Sequence, residues 1–235
     1  MSRGYLFNQT LHAKMNSFLE RLKVVWKQLL ILPVIFLIFL PVLQCQFINW
    51  DDDFHVYQNR AIEKIDTDHL QLIFLGHTRG TYIPLTIFSF ALEKHFFGLD
   101  PCRFHLDNLL LHLAVVALII YLGSLCGLAP AAGAMAAFLF GIHPVHVESV
   151  AWVTERKDVL YALFYLLALI SYCRYIKNNQ WKALLCCFVF GFLSLLAKSM
   201  ALSLPLILWL LDWFFKRPLS PRIFLEKIPC RVARF

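Results

Sequence analysis

Long apolar runs alternate with shorter polar stretches along most of this chain. Six such runs cover about residues 29–47, 105–126, 131–142, 159–175, 181–197 and 200–215. A helix rises about 1.5 Å per residue, so a run of about 20 residues crosses a ~30 Å hydrocarbon core. The third run is short, and its small residues would let a neighbouring helix approach closely. The pattern predicts an all-α polytopic membrane protein with about six transmembrane helices.

The polar segments between these runs define the predicted domain organisation. Residues 1–28 form a basic N-terminal segment, residues 48–104 form the largest loop, and residues 216–235 form a basic tail. Residues 29–215 would then form one transmembrane domain. Within the large loop, residues 82–98 are apolar but interrupted by charge, so we expect a helix lying along the membrane surface. The first run is longer than the apolar part of a signal peptide, which predicts a retained anchor.

Composition supports the membrane assignment. Of the 235 residues, 60% are hydrophobic and 16% are charged, whereas soluble domains average about 45–50% apolar and about 25% charged residues. The net charge of +7 does not indicate nucleic-acid binding, because the Lys and Arg residues lie mostly in short stretches between apolar runs. That placement is typical of a signal for membrane orientation.

The distribution of charge predicts which loops share a face of the membrane. With a cytoplasmic N-terminus and six spans, 14 of the 22 Lys and Arg residues lie on the inner side, and 12 of the 15 acidic residues lie on the outer side. The positive-inside rule favours this arrangement. The large loop, the loop at residues 143–158 and Lys198 are therefore predicted to meet on the outer face.

The acidic stretch Asp51-Asp52-Asp53 follows the first apolar run directly. Ionisable groups at membrane depth indicate a functional site by default. A carboxylate there could act as a general base for a hydroxyl nucleophile, or the three together could hold a divalent cation such as Mg²⁺ or Mn²⁺. The alternative is the solvated start of a loop, and the stretch alone leaves all three interpretations open.

A second polar cluster lies in the loop at residues 143–158. His143, His146 and Glu148 could be metal ligands, hydrogen-bonding groups for a phosphate or sugar, or interfacial polar residues. Side chains alternate along an extended segment, so His146 and Glu148 would share a face there. Two histidines and one glutamate form only a weak zinc pattern.

Cationic side chains on the predicted outer face suit an anionic substrate. Arg156 and Lys157 are adjacent and could bind a phosphate, or they could begin a helix with Asp158 near its N-terminus. Lys198 lies between two apolar runs, where it either reaches the interface or pairs with an anion. His105 begins the second run, where helical spacing aligns several polar groups. An anionic lipid substrate and a hydroxyl acceptor fit this set better than a channel does.

Several motifs, in this order along the chain, resemble one known family. They are Phe47–Asp53, Arg79–Leu85, Phe104–His112 and Phe140–Trp152, followed by Glu155-Arg156-Lys157-Asp158. Over about residues 30–229 they resemble the membrane portion of the transmembrane and tetratricopeptide-repeat-containing O-mannosyltransferases, in a bacterial-type version. Each motif is weak alone, but the ordered set is specific.

The resemblance implies a GT-C glycosyltransferase that transfers a sugar, with mannose expected, from a polyprenyl-phosphate donor to a Ser or Thr hydroxyl of a protein. Asp51 and Asp52 match the family's acidic pair and are the expected catalytic residues, with Asp53 a bystander. The residues expected to bind the donor phosphate are Arg156, Lys157 and Lys198. Those expected to line the site are His105, His143, His146, Glu148 and Asp158. The site would face the periplasm from a bacterial inner membrane, or the lumen of the endoplasmic reticulum in a eukaryote.

Two departures from the family pattern affect these expectations. Ser199 follows Lys198 where the family often has an acid, and the chain ends at Phe235 where the family continues into further spans and tetratricopeptide repeats. The second departure predicts a truncated form. The alternative functions are a non-catalytic membrane anchor or assembly subunit, and a transporter for a lipid-linked substrate. The transporter ranks last because the sequence shows no internal repeat.

Overall fold

The computed structural model describes residues 27–218 and residue 226. Nine α-helices lie within residues 27–218: α1 Ile31–Phe39, α2 Thr67–Leu75, α3 Pro84–Phe97, α4 Pro101–Leu125, α5 Pro130–Gly141, α6 His146–Ala151, α7 Arg156–Asn178, α8 Trp181–Ala197 and α9 Leu204–Phe214. The described residues form no strand, which confirms the predicted all-α class. Most of the predicted basic N-terminal segment and basic tail lies outside the described residues.

Local sequence explains where several of these helices begin. Proline stands at the first position of α3, α4 and α5, where its missing N–H would have no helical partner anyway. Asp100 caps α4 by accepting a hydrogen bond from the backbone N–H of Cys102. Short helical turns connect the α-helices. They are 3₁₀ turns at Leu40–Gln44, Arg60–Ile62, Val153–Glu155 and Ser199–Ser203, and a π-helical turn at Asp53–Tyr57.

The helices coincide with the predicted apolar runs. Among the described residues, two helical stretches are long and apolar enough to cross a membrane: α4, with 25 residues, and Val153–Asn178, with 26. Four more are apolar but shorter: Ile31–Gln44, Pro130–Gly141, Trp181–Ala197 and Ser199–Phe214. These helices support a membrane protein, while the count of six spans stays a prediction. A helix, α3, is present where one was expected in the large loop, and its place along the membrane surface stays a prediction.

Contacts between helix ends show that α4 and α7 run in the same direction. Near their first turns, Arg156 Nη2 donates to the carbonyl oxygen of Phe104 at 2.9 Å. Near their last turns, Arg174 Nη2 donates to the hydroxyl of Tyr121 at 2.8 Å. The beginnings of these two long helices therefore lie at one end of the bundle.

The next two helices alternate in direction with α7. Lys198, directly after α8, pairs with Asp158 in the first turn of α7, so α8 is antiparallel to α7. Near the end of α9, Asp212 accepts from the hydroxyl of Tyr172 at 2.9 Å, close to the end of α7. The segments predicted to share the outer face consequently gather at one end of the bundle, beside the beginnings of α4 and α7.

Three apolar cores support this arrangement. One lies beneath the large loop and includes Val56, Ile73, Phe90 and Phe104. A second packs α1 against α4 and α5, and a third packs α7 against α8 and α9. The first core supports the polar residues described next.

Candidate functional site

Asp52 fastens the start of the large loop to the turn that precedes α7. Its side chain is buried, with 1% exposed. Oδ1 accepts hydrogen bonds from the backbone N–H and hydroxyl of Thr154, at 3.0 and 2.6 Å, and Oδ2 accepts from the N–H of Ile48 at 3.0 Å. Because both carboxylate oxygens are held by the protein, Asp52 has a fixed position below the surface.

Asp51 lies at the surface beside Arg79. Its Oδ1 is 3.4 Å from Arg79 Nη1, and the arginine side chain is 53% exposed. The guanidinium also lies 3.5 Å from the centre of the Phe54 ring, a stabilising cation–π arrangement. Arg79 has a left-handed backbone, with φ of 48°, which is strained for a non-glycine residue and typical of functional turns. Asp51 and Arg79 thus offer a carboxylate and a guanidinium to solvent.

The three acids of the stretch do not converge on one point. Asp53 is buried, and its Oδ1 has no hydrogen-bond donor among the described residues. Consecutive positions of a helical turn point in different directions. Within residues 27–218 and 226, no three His, Cys, Asp or Glu side chains form a metal-ligand group. The described geometry therefore does not assemble the divalent-cation site of Asp51, Asp52 and Asp53 that the sequence left open.

Lys157 and Lys198 both lie within 4.0 Å of Glu155, which follows the Thr154 that binds Asp52, and both are paired with carboxylates. Lys157 Nζ is 2.5 Å from Glu155 Oε1, and Lys198 Nζ is 4.0 Å from Glu155 Oε2 while it pairs with Asp158. About one fifth of each lysine side chain is exposed. Both ammonium groups can meet a bound phosphate only by sharing or leaving these partners.

Arg156 occupies a different environment from the predicted phosphate site. It is 1% exposed, and its guanidinium donates inward through Nε to Asn108 at 2.7 Å, through Nη1 to Glu93 at 2.5 Å and through Nη2 to Phe104 O at 2.9 Å. With three of its five N–H groups donated to protein acceptors, this buried guanidinium is not arranged as a fork toward a phosphate at the surface. Arg156 instead ties α3, α4 and α7 together.

The predicted histidines are divided between the interior and the surface. His105 is buried beside Asp52, and His143 is exposed. His146 packs 4.1 Å from the Phe140 ring. Burial, His112 and His143 lower the pKa of His146, against an opposing effect of Asp158, so its imidazole is neutral at pH 7.

The expectation that His146 and Glu148 share a face is wrong. The segment is helical rather than extended, because α6 begins at His146. Residues two apart on a helix lie about 200° apart around the axis. Glu148 is accordingly exposed, while His146 is partly covered.

The structure therefore brings five of the predicted site residues together at one end of the bundle. We call this group the charged rim: Asp51, Asp52, Lys157, Asp158 and Lys198. Sequence reasoning missed Arg79, Thr154 and Glu93. In the sequence, the Arg79-Gly80 pair was a signal for Arg79, and the charge within an apolar run was a signal for Glu93. Nothing in the sequence marked Thr154 as a partner of Asp52.

Comparison with known proteins finds relatives that are named protein O-mannosyl-transferases. The chain is 34% identical over 136 residues to Protein O-mannosyl-transferase Tmtc1 of Drosophila melanogaster, covering 57% of this chain and 16% of that protein. It is 36% identical over 114 residues to Protein O-mannosyl-transferase TMTC4 of Homo sapiens, covering 43% and 15%. It is 34% identical over 142 residues to Protein O-mannosyl-transferase tmtc2 of Xenopus laevis, covering 57% and 17%.

Over the aligned part, the chain is similar to proteins of the TMTC protein O-mannosyl-transferase family. This confirms the family resemblance of the sequence motifs. The chain spans about one sixth of the length of these curated relatives. No family model matches it, and no solved structure matches it.

Proposed function

We propose that this chain forms the reaction-site portion of a membrane glycosyltransferase, which transfers a sugar from a polyprenyl-phosphate donor to a protein Ser or Thr hydroxyl. Mannose is the proposed sugar because the relatives are named O-mannosyl-transferases. The observation that carries the proposal is the surface pair formed by Asp51 of the charged rim and Arg79. This pair supplies a proton acceptor and a cation, and Lys157 and Lys198 lie around Glu155, next in sequence to the Thr154 that holds Asp52.

Asp51 is the proposed general base. The acceptor hydroxyl oxygen forms a bond to C1 of the sugar, the bond from C1 to the phosphate oxygen breaks, and the hydroxyl proton passes to the Asp51 carboxylate. Attack opposite the leaving group inverts the configuration at C1. The polyprenyl phosphate leaves with the electron pair of the broken bond and gains one negative charge.

Arg79 and the two lysines of the charged rim stabilise the charge that develops on the leaving phosphate. Arg79 is the most exposed of them and can offer two N–H groups to one phosphate. Lys157 and Lys198 can act as point charges, since each retains an exposed part of its side chain. Preorganised cations of this kind are a major contribution to catalysis of charge-developing reactions.

In this proposal Asp52 and Arg156 are positioning residues. Asp52 holds the loop that carries Asp51 by accepting hydrogen bonds from Thr154. Arg156 links three helices beneath the rim. Neither presents a free polar face to a substrate.

The replacement Asp51→Asn tests the proposal. It keeps the size of the side chain and removes the base, so transfer from a polyprenyl-phosphate sugar to an acceptor peptide should fall about 100-fold or more. The measurement is incorporation of radiolabelled sugar by membranes that carry the full-length protein. Asp68→Asn, at an exposed position on α2, is the matched control and should retain activity.

The same experiment separates the alternatives. Transfer at the original rate by the Asp51→Asn protein, at equal expression, would refute the role of Asp51. Growth or assembly phenotypes that depend on the chain but not on Asp51 or on the sugar lipid would instead support a membrane anchor or assembly subunit.

A further inference from the structure

A second polar site lies beside Arg156. A cavity of about 450 Å³ lies between α3, α4 and α7. Its charged lining consists of Glu93, Asp107 and Arg156. The rest is mainly apolar and includes Leu92, Phe96, Phe97, Leu110, Leu111 and Leu160. None of the charged-rim residues lines it, so this cavity is separate from the proposed reaction site.

Glu93 provides evidence that the cavity binds a ligand. The residue is 4% exposed, and its Oε2 accepts from Arg156 at 2.5 Å. Its Oε1 is buried and has no hydrogen-bond donor among the described residues. The neighbouring carboxyl of Asp107 is a second acceptor within interaction range. Two facing acceptors in a buried site need a proton or a cationic donor between them.

The net charge of the cavity lining favours a cationic ligand over an anionic one. With both carboxyls ionised, Glu93, Asp107 and Arg156 carry a net charge of −1, and the guanidinium donates to protein acceptors. An anion would meet two carboxylates, and three of the five guanidinium N–H groups already donate to protein acceptors. A bare metal ion would have no third acidic, histidine or cysteine ligand among the described residues. It would also leave most of the mainly apolar cavity unfilled.

The apolar lining of the cavity favours a ligand whose cationic group is attached to a hydrocarbon chain. Leu92, Phe96 and Leu110 are 36%, 70% and 49% exposed, and Leu110 lies on α4, which is long and apolar enough to cross a membrane. The apolar wall of the cavity is therefore continuous with the surface of the bundle that would contact lipid.

We propose that this cavity binds the primary ammonium group of an amphiphilic lipid, between the carboxyls of Glu93 and Asp107. An ammonium carries three N–H donors and no acceptor, so it can satisfy Glu93 Oε1 and Asp107 together. The hydrocarbon part of the ligand lies along Phe96 and Leu110. This site does not depend on the proposed transferase reaction.

Calorimetric titration of the full chain in uncharged detergent tests the proposal. Lysophosphatidylethanolamine should bind, and lysophosphatidylcholine, whose trimethylammonium has no N–H donor, should bind at least tenfold more weakly. Dodecylammonium distinguishes the sources of the ammonium group. If it binds as tightly as the phospholipid, the amine and chain suffice, and if it binds more weakly, the phosphate also contributes. Equal binding of the two lysophospholipids would overturn the proposal.

Two variants test whether the ligand binds in this cavity. Glu93→Gln keeps an oxygen that can accept from Arg156 but removes the charge, and should weaken lysophosphatidylethanolamine binding at least tenfold. Glu63→Gln makes the same change at an exposed position and should have no effect. Leu92→Trp narrows the mouth without changing any charge and should weaken binding while the melting temperature stays constant. Wild-type affinity in both Glu93→Gln and Leu92→Trp would refute the site.

Discussion

The hydrogen-bond donors around each acidic side chain of the charged rim determine the role that we propose for it. Asp51 and Asp52 are neighbours with the same chemistry, yet Asp52 is buried on Thr154 and Asp51 faces an exposed arginine. The buried acid has hydrogen bonds that offset its desolvation. The surface acid is 29% exposed and so remains accessible to solvent. The distinction between positioning residue and proposed base is therefore made by one threonine on a distant segment.

Glu93 shows the consequence when a buried carboxyl lacks enough donors. Burial raises its pKa from 4.5 to about 7, although Arg156 opposes the shift and Asp107 adds to it. Between these two values the folded protein binds more protons at this group than the unfolded chain does. The free energy of unfolding must then decrease as the pH rises through this window.

This linkage gives a prediction for stability. The contribution of Glu93 is most favourable below pH 4.5 and is lost as the pH rises to about 7. We expect the apparent melting temperature to fall between pH 5 and pH 8, and to fall less in Glu93→Gln, measured by tryptophan fluorescence in detergent. Glu63→Gln should keep the wild-type slope. Identical slopes in all three proteins would show that Glu93 ionises normally.

At the scale of elements, some helices pack so closely that glycine is needed at the contact. A Cβ atom on Gly141 of α5 would lie 2.4 Å from Ile35 Cδ1 and 3.2 Å from Val116 Cγ2, and both neighbours are buried. A Cβ atom on Gly191 of α8 would meet one atom closely, Leu204 Cδ2 at 2.6 Å. The end of a single leucine can move more easily than two packed side chains from separate helices.

Alanine at these two glycines should therefore have different effects. Alanine favours a helix over glycine by about 1 kcal/mol, whereas overpacking a core costs about 1–3 kcal/mol. We expect Gly141→Ala to lower the melting temperature and Gly191→Ala to leave it unchanged or raise it. Thermal unfolding of the two purified variants side by side measures the difference. A larger loss in Gly191→Ala would contradict the described packing of α1, α4 and α5.

The helices themselves could be predicted, because the hydrophobic pattern depends only on neighbouring residues in the sequence. The α8 helix has the predicted bounds of residues 181–197, and charge counting predicted that Lys198 and the loop at 143–158 would meet. The contact between Arg156 and Glu93 could not be predicted, since it joins residues 63 positions apart through the buried faces of two helices. The α7 helix begins at Arg156 rather than residue 159.

At the scale of the whole molecule, the directions of the helices and the distribution of charge favour the same orientation in a membrane. The parallel helices α4 and α7 require α5 to return the chain between them, and the charged rim lies where both begin. At their other end Lys177 donates to the carbonyl of Leu125 and Arg217 pairs with Asp212. Basic residues at this end are the arrangement that the positive-inside rule favours for a cytoplasmic face.

The orientation can be tested with cysteines on either side of three helices. Cys102 is exposed in the first turn of α4, and Gln180 is exposed just before α8. If α4, α5 and α7 all cross the membrane, these positions lie on opposite sides. An impermeant maleimide should then label Cys102 in intact cells, whereas Gln180→Cys should react only after permeabilisation, in proteins whose other cysteines are serine.

The short helix α5 makes this experiment informative. With 12 residues, it reaches about 18 Å, less than a ~30 Å hydrocarbon core. Labelling of both positions from the same side would show that α5 does not carry the chain across. Labelling of Gln180→Cys alone in intact cells would reverse the orientation and place the charged rim in the cytoplasm. Because a lipid-linked donor must reach Asp51 from the same side as the protein acceptor, the outcome also decides in which compartment the proposed transfer takes place.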